Sequence, residues 1–219
     1  MKELLETCFG KHYQSTKQAS VNCKTLKGQI PFADPKACAD CKIHTPEQEA
    51  TCDKVVLYCN TSDQEIDAIE LESFIDNYKH LKAIPSGKKC DLLLVGENKI
   101  VFCDLTCSLS KYIDPFVMAD GKPKTGKRTM VRTQIGNAIA LLMAVPEIAT
   151  TIDLKTDKVT VFAYREKPDA VTNTFDKRIV EKMRSFGVKT DKVLGKPMFS
   201  DMGNGFMFTE TRYPEPYVW

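Results

Sequence analysis

The sequence predicts an α/β (α+β) fold: a mixed β-sheet flanked by helices, preceded by a cysteine-containing, loop-rich N-terminal segment. Three observations predict it. Segments with helical spacing and segments with strand spacing interleave along the chain, the pattern of helices packed on a sheet. Two apolar runs, Asp91-Leu92-Leu93-Leu94-Val95 and Ile100-Val101-Phe102-Cys103-Asp104-Leu105, flank the turn Gly96-Glu97-Asn98-Lys99, which reads as a β-hairpin in a buried sheet. The 219 residues are 42% apolar and 27% charged, which suits one folded domain with a small appendage rather than two large domains or a disordered chain.

Residues 1–60 read as the loop-rich segment and residues 61–219 as the core. Met1 to Leu5 starts a short helix, and residues 14–44, with Gly28, Pro31 and Pro35, are expected to be mostly loop. Thr45-Pro46-Glu47-Gln48 supplies an N-cap and an N1 proline for a helix running to about Tyr58. Ser62-Asp63-Gln64-Glu65 resembles a second capping box, and Leu71, Phe74, Ile75 and Tyr78 recur at helical spacing, so a helix is expected over 63–79. Pro85-Ser86-Gly87 is a turn before the hairpin. Residues 111–126 read as loop. Thr129 to about Ile148 is expected as one apolar helix with Ile135, Ile139, Leu142 and Met143 on one face. Residues 158–164 alternate like a strand. A helix follows from Phe175 to Phe186, stopped by Gly187, then strand-like pieces at Met198-Phe199 and Phe206-Met207-Phe208.

The net charge is +2, so polyanion binding has to come from a local patch. No apolar run approaches the ~18 residues of a membrane span. Acidic residues stand where a signal peptide would have its apolar region, so no membrane association and a cytoplasmic location are expected. Nine cysteines without such a signal point to reduced thiols. Cys90, Cys103 and Cys107 lie in or beside apolar runs and read as small core residues.

The hairpin brings two acids into question. Asp91 opens its first strand and Asp104 nearly closes its second, so the two carboxylates are expected side by side. Such a pair suits a hard divalent cation, Mg²⁺ or Mn²⁺. Without a cation, each acid raises the other's pKa. A third acid is available on the expected 63–79 helix, from Glu70, Glu72 or Asp67.

Lys89-Cys90-Asp91-Leu92-Leu93-Leu94, followed by Lys99-Ile100-Val101-Phe102-Cys103-Asp104-Leu105-Thr106, resembles the core of the PD-(D/E)XK, or restriction-endonuclease-like, nuclease superfamily. The resemblance covers roughly residues 62–165. It implies a restriction-endonuclease-like core and magnesium-dependent hydrolysis of DNA or RNA phosphodiester bonds. Asp91 and Asp104 match the motif acids, Glu70 matches the helical acid, and Gln134 resembles a glutamine that members carry on the following helix. Two positions depart from the motif. Cys90 replaces a proline, and Thr106 replaces the lysine that helps activate water and stabilise phosphate charge. Lys111, Lys127 and Arg132 are candidates to supply that charge from elsewhere. The alternative is a catalytically inactive member of the fold, serving as a nucleic-acid- or protein-binding module such as an inhibitor or immunity factor.

No acid falls between Asp120 and Glu147, while Lys122, Lys124, Lys127, Arg128 and Arg132 do. With Gln134, these form the expected nucleic-acid-binding patch, entering a helix N-terminus that favours phosphate. A solvated charged loop is the plain alternative. Gly121 to Lys127 also matches most of a Walker A loop, but Arg128 follows where Ser or Thr should stand.

Cys38-Ala39-Asp40-Cys41 has the spacing at which two thiolates reach one metal. With Cys52 and Cys23 it is the expected structural Zn²⁺ staple of the N-terminal segment, with Cys8, His12, His44 and Cys59 as further possible partners. Incidental, unligated thiols are the alternative.

Overall fold

The structure, a computed structural model, describes residues 1–36, 38, 43, 52–85, 87–109, 112–118, 121–167 and 200–219. The chain opens with a helical segment, α1 (residues 2–12), π-helical at Leu5–Phe9. Strands β1 (Cys23–Leu26), β2 (Gln29–Ala33), β3 (Val55–Asn60) and β4 (Ile66–Glu70) follow. A short helix α2 (Leu71–Asp76) leads to the hairpin β5 (Leu92–Val95) and β6 (Lys99–Leu109). After a two-residue ribbon, β7 (Phe116–Val117) with β8 (Pro123–Lys124), come α3 (Lys127–Met143), α4 (Pro146–Asp153) and β9 (Asp157–Lys167). β10 (Ser200–Asp201), β11 (Met207–Arg212) and β12 (Tyr217–Val218) close the described chain.

The main sheet is seven-stranded and mixed, in the order β1-β4-β5-β6-β9-β11-β10. β4, β5 and β6 run antiparallel, and the α3–α4 crossover returns the chain so that β9 lies parallel to β6. A three-stranded sheet, β12-β3-β2, covers one face. Alternation along the strands sorts the core. Leu93, Val95, Ile100 and Phe102 pack with the helices, whereas Leu92, Leu94, Val101, Cys103 and Leu105 pack between the two sheets. Phe9, Phe74 and Tyr78 interlock α1 and α2 at ring separations of 5.3–5.5 Å. Among the described residues, no single helix is long and apolar enough to cross a membrane.

The mixed sheet with flanking helices and the central hairpin agree with the sequence expectation, but several elements do not. The expected helix over 63–79 is a strand followed by a short helix. The helical spacing of Leu71, Phe74, Ile75 and Tyr78 is real, but Ile66 and Ala68 alternate into the space between the sheets, and pairing with β1 and β5 claims that stretch. Ser62 adopts a left-handed φ of 53° in a turn, so it is no helix cap. The 55–58 end of the expected helix is strand β3. Its neighbours Val56 and Leu57 bury against the main sheet. The expected loop of residues 14–44 contains β1 and β2, with β1 at the edge of the main sheet. The expected 129–148 helix is two helices, and their axes turn by 112° where Pro146 begins the second. The expected 175–186 helix, Met198-Phe199 and residues 45–51 lie outside the described residues.

The excursion between β6 and α3 leaves and returns at one point. Arg128 N–H donates to Ile113 O at 3.0 Å, and a Cβ on Gly126 would overlap the Asp114 backbone. Gly126 is therefore small because backbone passes against it. Gly121, at φ 79°, sits in the turn of the β7–β8 ribbon, so residues 121–127 do not make the strand–loop–helix of a nucleotide-binding loop.

Candidate functional site

β5 pairs with β6 from Val95 opposite Ile100 to Leu92 opposite Cys103. One step further, the same register sets Asp91 opposite Asp104. β5 begins only at Leu92, so Asp104 lies mid-strand in β6 just where its neighbour strand has not yet started. Asp104 follows Ile100 and Phe102 onto the helix-covered face. Both acids are deeply buried, Asp91 at 4% exposure and Asp104 at 2%.

Their hydrogen bonding is incomplete. Asp91 Oδ2 accepts from Leu105 N–H at 2.7 Å. Asp91 Oδ1 and Asp104 Oδ2 are buried with no hydrogen-bond partner. A buried, unpartnered carboxylate oxygen is costly, so the arrangement is held by the sheet against its own electrostatics. The titration follows. Burial, reinforced by Asp104, holds the Asp91 carboxyl well above the usual carboxylate range. Burial also pushes Asp104 up to about 7 against the opposing pull of Lys36, with Glu72 and Asp34 adding to the rise.

A cleft of about 230 Å³ opens beside the pair, lined by Asp91, Leu92 and Leu105 from the hairpin, Glu70, Glu72, Ser73 and Asp76 from β4 and α2, and Ala33, Pro35 and Lys36 from the end of β2. Lys36 Nζ stands 3.9 Å from Asp91 Oδ1 and 3.8 Å from Glu72 Oε2, in ion-pair range but beyond hydrogen bonding. Burial works against its charge, yet Asp91, Glu72, Asp104 and Asp34 outweigh that and raise its pKa. Asp34 fixes its backbone: Oδ1 accepts from Lys36 N–H at 2.8 Å and Oδ2 from Cys107 N–H at 2.7 Å. The lysine is thus tied through Asp34 to the same strand that carries Asp104.

The donor set fits a hard divalent cation. Two carboxylates each offer a free oxygen, and Glu72 faces the same cleft. Among the described residues, no group of three or more Cys, His, Asp or Glu side chains is arranged to hold a metal ion by itself. Mg²⁺ needs no such cage, since it keeps several waters and is often held by one or two carboxylates plus substrate phosphate.

The other sequence candidates fall in different places. Glu70 lines the cleft but stands at the end of β4 as the residue preceding α2, not on a helix as expected. Thr106 is buried two residues beyond Asp104 and brings no charge. Lys127 opens α3 as the other lysine whose charge Asp104 feels. Arg132 lies over the Phe208 ring at 4.5 Å and donates to Ser200, so its guanidinium is engaged at the β10–β11 end of the sheet. Arg128 pairs with Asp114 and Glu210. Lys122 and Lys124 are exposed on the β7–β8 ribbon, and Gln134 is half-buried on α3. Lys111 lies outside the described residues.

Cys41 lies outside them too. Cys38 follows β2, where its N–H donates to Asp34 O at 2.9 Å. Cys52 and Cys107 both lie within electrostatic reach of Lys54. Cys23, on β1, has Asp67, Lys2 and Glu6 as its charged neighbours. Cys90 and Cys103 are core thiols, with burial raising the pKa of each far above the usual thiol value.

Sequence reasoning missed Lys36 and Asp34. The available signal was Asp34-Pro35-Lys36, two opposite charges around a proline directly after the strand Gln29–Ala33. No protein-family model, curated protein or solved structure matches the chain.

Proposed function

We propose that the chain is a divalent-cation-dependent, nuclease-like hydrolase of phosphodiester bonds in DNA or RNA. The observation that carries it is the pair of buried oxygens, Asp91 Oδ1 and Asp104 Oδ2, opposed across one hairpin with no hydrogen-bond partner. Support also comes from topology. An antiparallel three-strand meander, a helical crossover and a parallel fourth strand occur in the order expected of a restriction-endonuclease-like core.

Asp91 and Asp104 would hold Mg²⁺ or Mn²⁺, with Glu72 or Glu70 bracing the cleft side. The bound cation supplies Lewis-acid polarisation of the phosphate and a lowered pKa for its water. The chain's own residues do the rest. The Leu105 N–H bond engages Asp91 Oδ2 and leaves Oδ1 without a hydrogen-bond partner, 3.9 Å from Lys36 Nζ. Lys36, at the cleft edge of Asp91, is the residue that would provide the positive charge Thr106 lacks, to offset charge developing on a phosphate oxygen. Lys124 and Lys127 are placed to meet the polyanion backbone at the entrance to α3. A Zn²⁺ staple at Cys38, Cys41, Cys52 and Cys23 is a separate proposal, decided by elemental analysis of the purified protein.

The test is incubation with plasmid and single-stranded substrates in Mg²⁺ or Mn²⁺, comparing wild type with Asp104→Ala. Metal-dependent cleavage that disappears in the variant is the expected result. Retention of nucleic acid without cleavage under any condition would favour the inactive binding module.

A further inference from the structure

Lys36 stands where a cation belongs. Its ammonium bridges Asp91 and Glu72 at 3.9 and 3.8 Å, on the cleft side of the buried pair. Neither contact is short enough to satisfy the oxygen it faces. The side chain is about half exposed, at 47%, and so has solvent into which it can swing, whereas its backbone is pinned by Asp34. Asp34 in turn grips Cys107 of β6, so the ammonium is anchored at its root and free at its tip.

We infer that Lys36 is a tethered stand-in for the divalent cation: it occupies the cation's side of Asp91 and Glu72, and a bound cation displaces it into the cleft. This rests on the cation site proposed above and assigns one of its residues a second position. Without metal, the ammonium offsets the charge of Asp91, the member of the hairpin pair that it contacts, and of Glu72. With metal, two cations cannot share Asp91 Oδ1, and the lysine tip moves toward the open cleft. That is where a substrate phosphate would lie. The charge that the hairpin's own Thr106 cannot supply is therefore delivered only once the metal is seated.

Two measurements on the intact protein test this. The first is calorimetric titration with MnCl₂ of wild type, Lys36→Met and Lys127→Met. Exchange predicts that Lys36→Met binds Mn²⁺ about tenfold or more tightly than wild type, because the competitor is gone, while Lys127→Met shifts binding by much less. The second uses wild type with ¹³C-dimethylated lysines, which keep their charge. On Mg²⁺ addition, the Lys36 methyl resonance, assigned by its absence in Lys36→Arg, should move with the binding isotherm. Equal or weaker Mn²⁺ binding by Lys36→Met, or a Lys36 resonance unmoved at saturating Mg²⁺, overturns the exchange while leaving the cation site standing. Absence of Mn²⁺ binding in all three proteins overturns both.

Discussion

Two charged regions draw attention in this chain, and they end up opposite in character. The basic run from Lys122 to Arg132 looks like a ligand surface, yet its two arginines are engaged within the protein. Arg128 spans Asp114 and Glu210, and Arg132 stacks on Phe208 and bonds Ser200. The acidic pair on the hairpin looks like two ordinary strand-end residues, yet it is buried and left with unpartnered oxygens. Density of charge along the sequence is therefore a poor guide to a site. What marks one is charge that the fold has buried and not answered.

The largest expected break in that contrast is at the acids. Asp104→Asn keeps shape and removes charge, so it should abolish metal-dependent cleavage, a loss on the order of 10³-fold or more. It should also leave the metal-free fold as stable as wild type or more so. Asp91→Leu should lose cleavage equally but give up stability, because it removes the acceptor of the Leu105 N–H. A cost of roughly 1–3 kcal/mol is expected from denaturant titration of the two variants.

Next is pH. In the folded chain Asp104 titrates at about 7, against ~4 when unfolded. Between those values the folded state holds a proton that the unfolded state has released, so stability falls as pH rises from about 4 to about 7. Metal-free wild type should lose on the order of 10 °C of Tm across that window relative to Asp104→Asn. Saturating Mg²⁺ should cancel the difference. A wild-type profile parallel to that of Asp104→Asn would show that the pair is not forced together in solution.

Arg128→Met sharpens the other side. The arginine is about one-third exposed, so solvent screening leaves its two ion pairs worth about 1 kcal/mol. Thermal unfolding should show that loss, with nucleic-acid affinity changed no more than by any single surface charge. The smallest effect belongs to Lys122→Ala and Lys124→Ala. Each should lower the slope of log affinity against log salt by about one or less, leaving cleavage of saturating substrate unchanged.

The central hairpin was readable from sequence because two apolar runs and one turn specify both register and face. Asp91 opposite Asp104 follows from them with no other knowledge of the chain. The neighbouring strand β4 was not readable. Ile66 to Glu70 merges into the helical spacing of Leu71, Phe74 and Ile75, and only pairing with β1 and β5 separates the two. Lys36 was hidden for another reason. It reaches the acids from more than fifty residues away, through a bend held by Asp34, and no local period encodes such an approach. The break at Pro146 was missed although its signal was local: the continuous apolar spacing of residues 129–148 masked a proline that ends one helix and starts the next.

The close passage of Gly126 against Asp114 has a consequence for how this molecule can change. The base of the β7–β8 ribbon is fastened, with Gly126 against the Asp114 backbone and Arg128 N–H bonded to Ile113 O, so changes within the ribbon are expected to reach the sheet little. Lengthening or replacing residues 116–124 should cost only loop-closure entropy, about 0.6 kcal/mol per doubling. A library built there would vary what the rim of the protein touches while the scaffold beneath stays as it is.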